Sequence, residues 1–287
     1  MISFSTADIN LWIAGLLWPM TRILALLASA PLFGNSAIPA SVKICLGTLL
    51  AMVIAPVVPA QPAADPLSLA GLLIVVQEML IGLAMGFSIR IVFAAVEMAG
   101  EISSLTMGLG FATFFDPTTQ GRSSAISQFL ALVTTMLFLA VNAHLVLLSA
   151  LVESFYSLPV SAAPVYGGGF KQLADWGGRI FSTGVQLSLP IVAALLITNV
   201  ALGILTRAAP QLNLFGIGFP ITLGVGLLVV AMTLPYLATP VQNWFLDGIE
   251  RARLMPRTWS QRQNNAPPVA PPQGQNGQRP AGLTVVP

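Results

Sequence analysis

Residues 69–96 read LAGLLIVVQEMLIGLAMGFSIRIVFAAV, an apolar run interrupted by two ionisable residues, Glu78 and Arg90. Crossing a hydrocarbon core of about 30 Å takes about 20 helical residues, and this run is longer than that. Read as one helix, it places Arg90, Glu97 and Glu101 at i, i+7 and i+11, on a single narrow stripe. Gly82 and Gly86 form a small-xxx-small pair on an adjacent face, where a second helix can approach closely. Charges at membrane depth must pair or face water. The stripe therefore reads either as a packed interhelical salt-bridge network or as a polar wall along a conduit.

Outward from this run the chain keeps the same character. Of 287 residues, 55% are hydrophobic and 8% charged, with mean hydropathy +0.83. A soluble domain carries roughly 25% charged residues, so this chain cannot cover itself with a polar surface. The expected fold is all-α: an integral membrane protein, or a subunit buried by partners on most sides. Six apolar segments stand out, at about 9–30, 44–58, 69–96, 126–152, 183–205 and 212–240. Prolines at 19, 31, 39, 56, 190, 210, 220 and 235 fall within or between them. Interior proline removes a backbone hydrogen bond and is tolerated in lipid where neighbours repair the loss, so bent or broken helices leaning on protein are expected. The N-terminus lacks a basic leader and reads as a retained first helix. Lys171, Arg179, Arg251, Arg253 and Arg257 fall on the side that six crossings would give to both termini, a weak bias towards a cytoplasmic C-terminus.

Between the third and fourth segments lies Met107-Gly-Leu-Gly-Phe-Ala-Thr-Phe-Phe-Asp-Pro-Thr-Thr-Gln-Gly121. Gly108 and Gly110 permit positive φ and remove side-chain bulk. Pro117 drives Asp116 out of the helical region, so Asp-Pro reads as a turn. Phe111, Phe114 and Phe115 are too apolar for a solvated loop. Non-helical backbone at membrane depth requires burial in protein or a cavity to line. Two readings fit these residues: a connecting loop with aromatics at the membrane interface, or a hydrophobic constriction inside a pore.

Motifs for catalysis are missing: the sequence has no HExxH, no GxxxxGK[ST], no GxSxG and no aspartate-rich metal motif. No enzyme activity, cofactor or metal is expected, and the small net charge of +2 argues against nucleic acid. Cys45 alone forms no internal disulfide and reads as a small hydrophobe. His144 reads as a buried, hydrogen-bonded histidine. In an alternative reading, a multi-span solute or ion transporter, it joins Arg90, Glu97 and Glu101 in a polar pathway. From residue 258 the composition turns to Pro, Gln, Asn and Gly, so a helical domain over 1–257 and a disordered tail over 258–287 are expected.

Three stretches resemble the FliR family of flagellar type III export proteins. They are TRILALLASAPLFGNSAIPASVKICLGTLLAMVIAP from Thr21, EMAGEISSLTMGLGFATFFDPTTQG from Glu97, and LTRAAPQLNLFGIGFPITLGVGL from Leu205. The third is the most specific, with Arg207, Pro210, Gln211, Asn213, Phe215, Gly218, Phe219 and Pro220 as its motif residues. The resemblance covers about residues 10–250, and the tail matches no family feature. It implies an all-helical subunit of kinked helices and hairpins in an export gate of a bacterial inner membrane and flagellar basal body. The implied partners are FliP-like and FliQ-like membrane subunits, other export apparatus proteins, membrane lipid and unfolded secreted proteins as substrates. It also implies that Met107–Gly121 acts as a channel plug, carried over at Gly108, Gly110, Phe111, Asp116 and Pro117. Phe114 and Phe115 are assigned to the plug on their chemistry, and Met107 as the loop's first residue.

Overall fold

Ser68 starts the central element. Its hydroxyl accepts from the Gly71 N–H at 3.0 Å, satisfying one of the four orphan donors of a helix start. From there α3 (Leu69–Thr106) runs 38 residues, about 57 Å at 1.5 Å per residue. In the computed structural model the other elements gather around it: α1 (Thr6–Ser29), α2 (Ala40–Ile54), α4 (Ala125–Ala140), α5 (Ala143–Ser157), α6 (Gly168–Gly177), α7 (Arg179–Ala208) and α8 (Phe219–Asn264). The structure describes residues 6–59, 61–62, 64–111, 124–162, 168–209 and 214–264. Among them all regular structure is helical.

Small residues set how closely the helices pack. A Cβ on Gly82 would stand 2.2 Å from the Arg22 carbonyl oxygen, and one on Gly86 would stand 2.0 Å from Ser29 Oγ. The small-xxx-small pair, expected to admit a second helix, therefore seats α1, which runs parallel to α3. Gly100 presses in the same way on Ser127 Cα of α4, where a Cβ would lie at 2.5 Å. The inner faces close over a core that includes Trp18, Leu26, Ile81, Met85, Ile249 and Met255. Phe93, Phe138 and Phe245 meet within it as a triangle of rings with centroids 5.0–5.7 Å apart.

The contacts also fix directions. Trp176, Thr183 and Gly184 meet α3 at Ser88, Ile91–Ala95 and Ala95–Met98 in turn, so α7 runs parallel to α3. Gly226, Phe245 and Gly248 meet it at Met107, Phe93 and Ser88–Val92, so α8 runs antiparallel. The end of α3, the start of α4 and the α7–α8 connection consequently lie at one end of the molecule.

The six expected segments are only partly single helices. Among the described residues three helices are long and apolar enough to cross a membrane, within Leu69–Thr106, Gly169–Ala208 and Gly216–Trp259. The fourth apolar segment is two helices, α4 and α5, bent by 66°. Asn142 makes that break at φ 55°, a left-handed conformation that asparagine tolerates better than most residues. The two remaining segments are shorter apolar helices, Gly15–Ser29 and Ala40–Ile54 by their described side chains. Pro19, Pro190 and Pro235 sit inside continuous helices, as do Pro240 and Pro256. The last helix also continues through the expected tail boundary at 257/258 to Asn264. Trp259 is buried there against Phe170, ring centroids 5.4 Å apart. Residues 265–287 lie outside the described residues.

Candidate functional site

At the shared end, α3 stops through local geometry. Gly108 adopts φ 87°, the left-handed position that commonly closes a helix and that glycine takes without steric cost. Its N–H donates to the Leu105 carbonyl at 3.1 Å, and the Met107 N–H donates to the Ser103 carbonyl at 3.0 Å. Met107 itself is fully buried. Its side chain fills the space over Gly226 of α8, and its carbonyl accepts from Thr222 Oγ1 at 3.3 Å. A short 3-10 turn, Leu109–Phe111, follows. The chain thus leaves α3 from a buried anchor through a glycine at positive φ.

Not every expected loop residue takes the expected conformation. Gly110 lies in the 3-10 turn without positive φ; instead, a Cβ there would stand 2.9 Å from Leu105 Cδ2. For Phe111 the backbone alone is described, and Phe114, Phe115, Asp116 and Pro117 lie outside the described residues. The described residues of the third stretch lie at the same end. Arg207 is exposed in the last turn of α7, Phe215 lies in a π-turn over Leu214–Gly218, Gly218 is buried, and Phe219 and Pro220 open α8. Pro210, Gln211 and Asn213 lie outside the described residues. The structure nevertheless joins the second and third stretches, because Thr222 and Gly226, just past the motif of the third, hold Met107 of the second.

The polar stripe departs from the packed network expected as one reading. Arg90 and Glu97 are exposed and Glu101 half-buried, and no ion pair within 4 Å links them among the described residues. Arg90 and Glu101 both act on Glu97 electrostatically. Glu101 also accepts from the backbone N–H of Ser124, the cap of α4, at 2.8 Å. The cause is geometric: α1, α4, α7 and α8 take the other faces of α3, leaving this one open. His144 does not join the stripe. Its ring neighbours Phe138, and Nδ1 is buried without a hydrogen-bond partner among the described residues.

The buried ion pair is elsewhere. Arg22 Nε and Nη2 donate to the two carboxylate oxygens of Glu78 at 2.7 and 2.9 Å. Nη1 donates to Ser154 Oγ at 3.0 Å and Nη2 also to the Leu158 carbonyl at 3.0 Å. The guanidinium lies 4.2 Å from the Phe155 ring centroid. This bidentate, charge-assisted cluster ties α1, α3 and α5 together with both charges out of water. The available sequence signal was a lone arginine and a lone glutamate of opposite sign in two separate apolar segments.

With this geometry in view, comparison with known proteins places the chain. The sequence profile of the bacterial export proteins, family 1, matches residues 13–248. The chain belongs to that family. Among its relatives is the flagellar biosynthetic protein FliR of Pectobacterium carotovorum, 43% identical over 247 residues, which cover 86% of this chain and 94% of that one. The FliR of Escherichia coli is 40% identical over 236 residues, 82% of this chain and 90% of that one. The FliR of Caulobacter vibrioides is 30% identical over 239 residues, 83% and 94%. This member of the export family is a membrane-embedded component of the flagellar export apparatus, in agreement with the resemblance carried by its three motifs.

Proposed function

We propose that the chain is a non-enzymatic subunit of the flagellar export gate in the bacterial inner membrane. It assembles with FliP-like and FliQ-like subunits around a channel for unfolded flagellar proteins, and residues 107–121 plug that channel. The observation that carries this reading is the construction of the loop root. A fully buried Met107, gripped by Thr222 and Gly226, is followed at once by a glycine hinge at φ 87°. A loop whose root is held by buried packing and turned sharply at a glycine suits a plug better than it suits a simple connector. Phe111, Phe114 and Phe115 would close the path by excluding water, because a dewetted apolar constriction blocks ions without a polar seal.

The apolar surface supports an assembled subunit. Glu153 pairs with Arg253 and Arg257 on the exterior, while its neighbour Ser154 binds Arg22, the partner of Glu78. At the height of Glu78, then, one side of the molecule carries exposed charges and α3 exposes Val76 and Met79. A lipid slab covering the one would bury the other. Protein neighbours resolve the conflict. The test is native mass spectrometry of the chain co-expressed with its FliP-like and FliQ-like candidates. A single stable particle holding all three supports the reading; this chain isolated alone in every preparation overturns it.

A further inference from the structure

The open face of α3 has a repeat of its own. Leu72, Leu83, Ala94 and Leu105 recur every 11 residues, and Met79, Arg90 and Glu101 repeat the same interval two turns on. Leu72, Met79, Leu83, Arg90 and Leu105 are exposed and Ala94 and Glu101 half-buried. Glu101 is held by the Ser124 N–H and Leu105 lies beside Gly110, and no helix among the described residues runs along the stripe as a whole. Eleven residues make close to three whole helical turns, so such positions stay in line along a nearly straight helix and suit a long, gently right-handed pairing. Ala94 at the centre permits close approach.

The chemistry along the stripe selects its occupant. Lipid is excluded from the middle, where Arg90, Glu97 and Glu101 stand on the outer face, because charges facing hydrocarbon are costly. Bulk water is a poor match for the ends, where Leu83 and Phe87 on one side and Leu105 on the other are exposed. A second copy inserted in the same direction would set Arg90 against Arg90 and Glu97 against Glu97. We propose that this stripe is a docking face for one long helix of a different membrane subunit, apolar at both ends, with an acidic residue opposite Arg90 and a basic residue opposite Glu97 and Glu101. The proposal rests on the export-gate reading and adds to it a defined face and a defined charge order for the neighbour.

The test uses the intact complex in its native membrane, with a photo-crosslinking amino acid placed in turn at Leu83, Ala94 and Leu105. The expected result is a crosslink from all three positions to successive heights of one helix in one other subunit, bearing the inverse charge order. Losing one partner of a desolvated charge pair costs enough for R90E to cut that crosslink by roughly 30-fold or more. The matching acidic-to-basic change in the crosslinked helix should restore it. Crosslinks to lipid, to a second copy or to no protein, or a yield unchanged by R90E, overturn the docking face. If the complex still contains other subunits in those cases, the export-gate reading stands. If the chain associates with no other subunit at all, both fall.

Discussion

Arg22 shows how one residue settles the packing of three helices. It donates four hydrogen bonds, to Glu78, Ser154 and Leu158, with an aromatic ring across its face, which is what makes a buried guanidinium tolerable. Removing one partner of such a pair leaves the other charge stranded, at about 3–5 kcal/mol. Arg22→Met should therefore lower the thermal unfolding temperature of the detergent-solubilised chain sharply. Arg22→Met with Glu78→Leu should recover much of the loss, since apolar replacement of a whole buried pair is often neutral. Recovery absent in the double variant would mean that the pair fixes helix register as well as charge. At this scale sequence reading succeeded where geometry is local and failed where it is not. Gly108 could be assigned from its own steric freedom, and Gly82 and Gly86 from their spacing. Arg22 and Glu78 could not be joined, because which apolar segments touch is decided by packing between elements. The same blindness gave Arg90 a buried partner as one reading, although the stripe alone says nothing of which face stays open.

The elements end where single residues make them end. Gly108 closes α3 and Asn142 separates α4 from α5, both in left-handed conformations, and an L-residue with a Cβ pays about 1–2 kcal/mol there. Gly108→Val should destabilise by at least that amount and disturb the loop root, whereas Asn142→Gly should leave stability nearly unchanged; both follow from thermal unfolding of the purified chain. Composition missed the bend at Asn142 because residues 126–152 are apolar throughout and periodicity does not register one left-handed residue. The last helix also runs past residue 257, to Asn264. Residues 258–264 are polar, yet Trp259 packs into the core beside Gly169 and Phe170, and that contact carries the helix onward. Trp259→Ala should cost about 3–5 kcal/mol and reduce the steady-state level of the protein. Deleting 265–287 should leave motility intact; loss of secretion at normal protein levels would show that the tail has work of its own.

As a whole, the molecule is a bundle about one long helix with many large apolar side chains on its exterior. The all-helical class and membrane character were legible from composition and hydropathy, since so few charges cannot solvate a chain of this length. Hydropathy alone did not reveal that the end of α3 meets α8 just after the motif of the third stretch, which follows from α8 running antiparallel to α3. That meeting places Met107 in the grip of Thr222 and Gly226 and gives the loop its fixed base. The most direct measurement is ion conductance across membranes containing the assembled complex, with Phe111, Phe114 and Phe115 changed together to Ser, against a loop of equal length that keeps the aromatics. A plug predicts that the serine variant assembles normally and leaks ions while the control stays tight. Unchanged conductance in a correctly assembled serine variant would contradict it and move the seal to another chain.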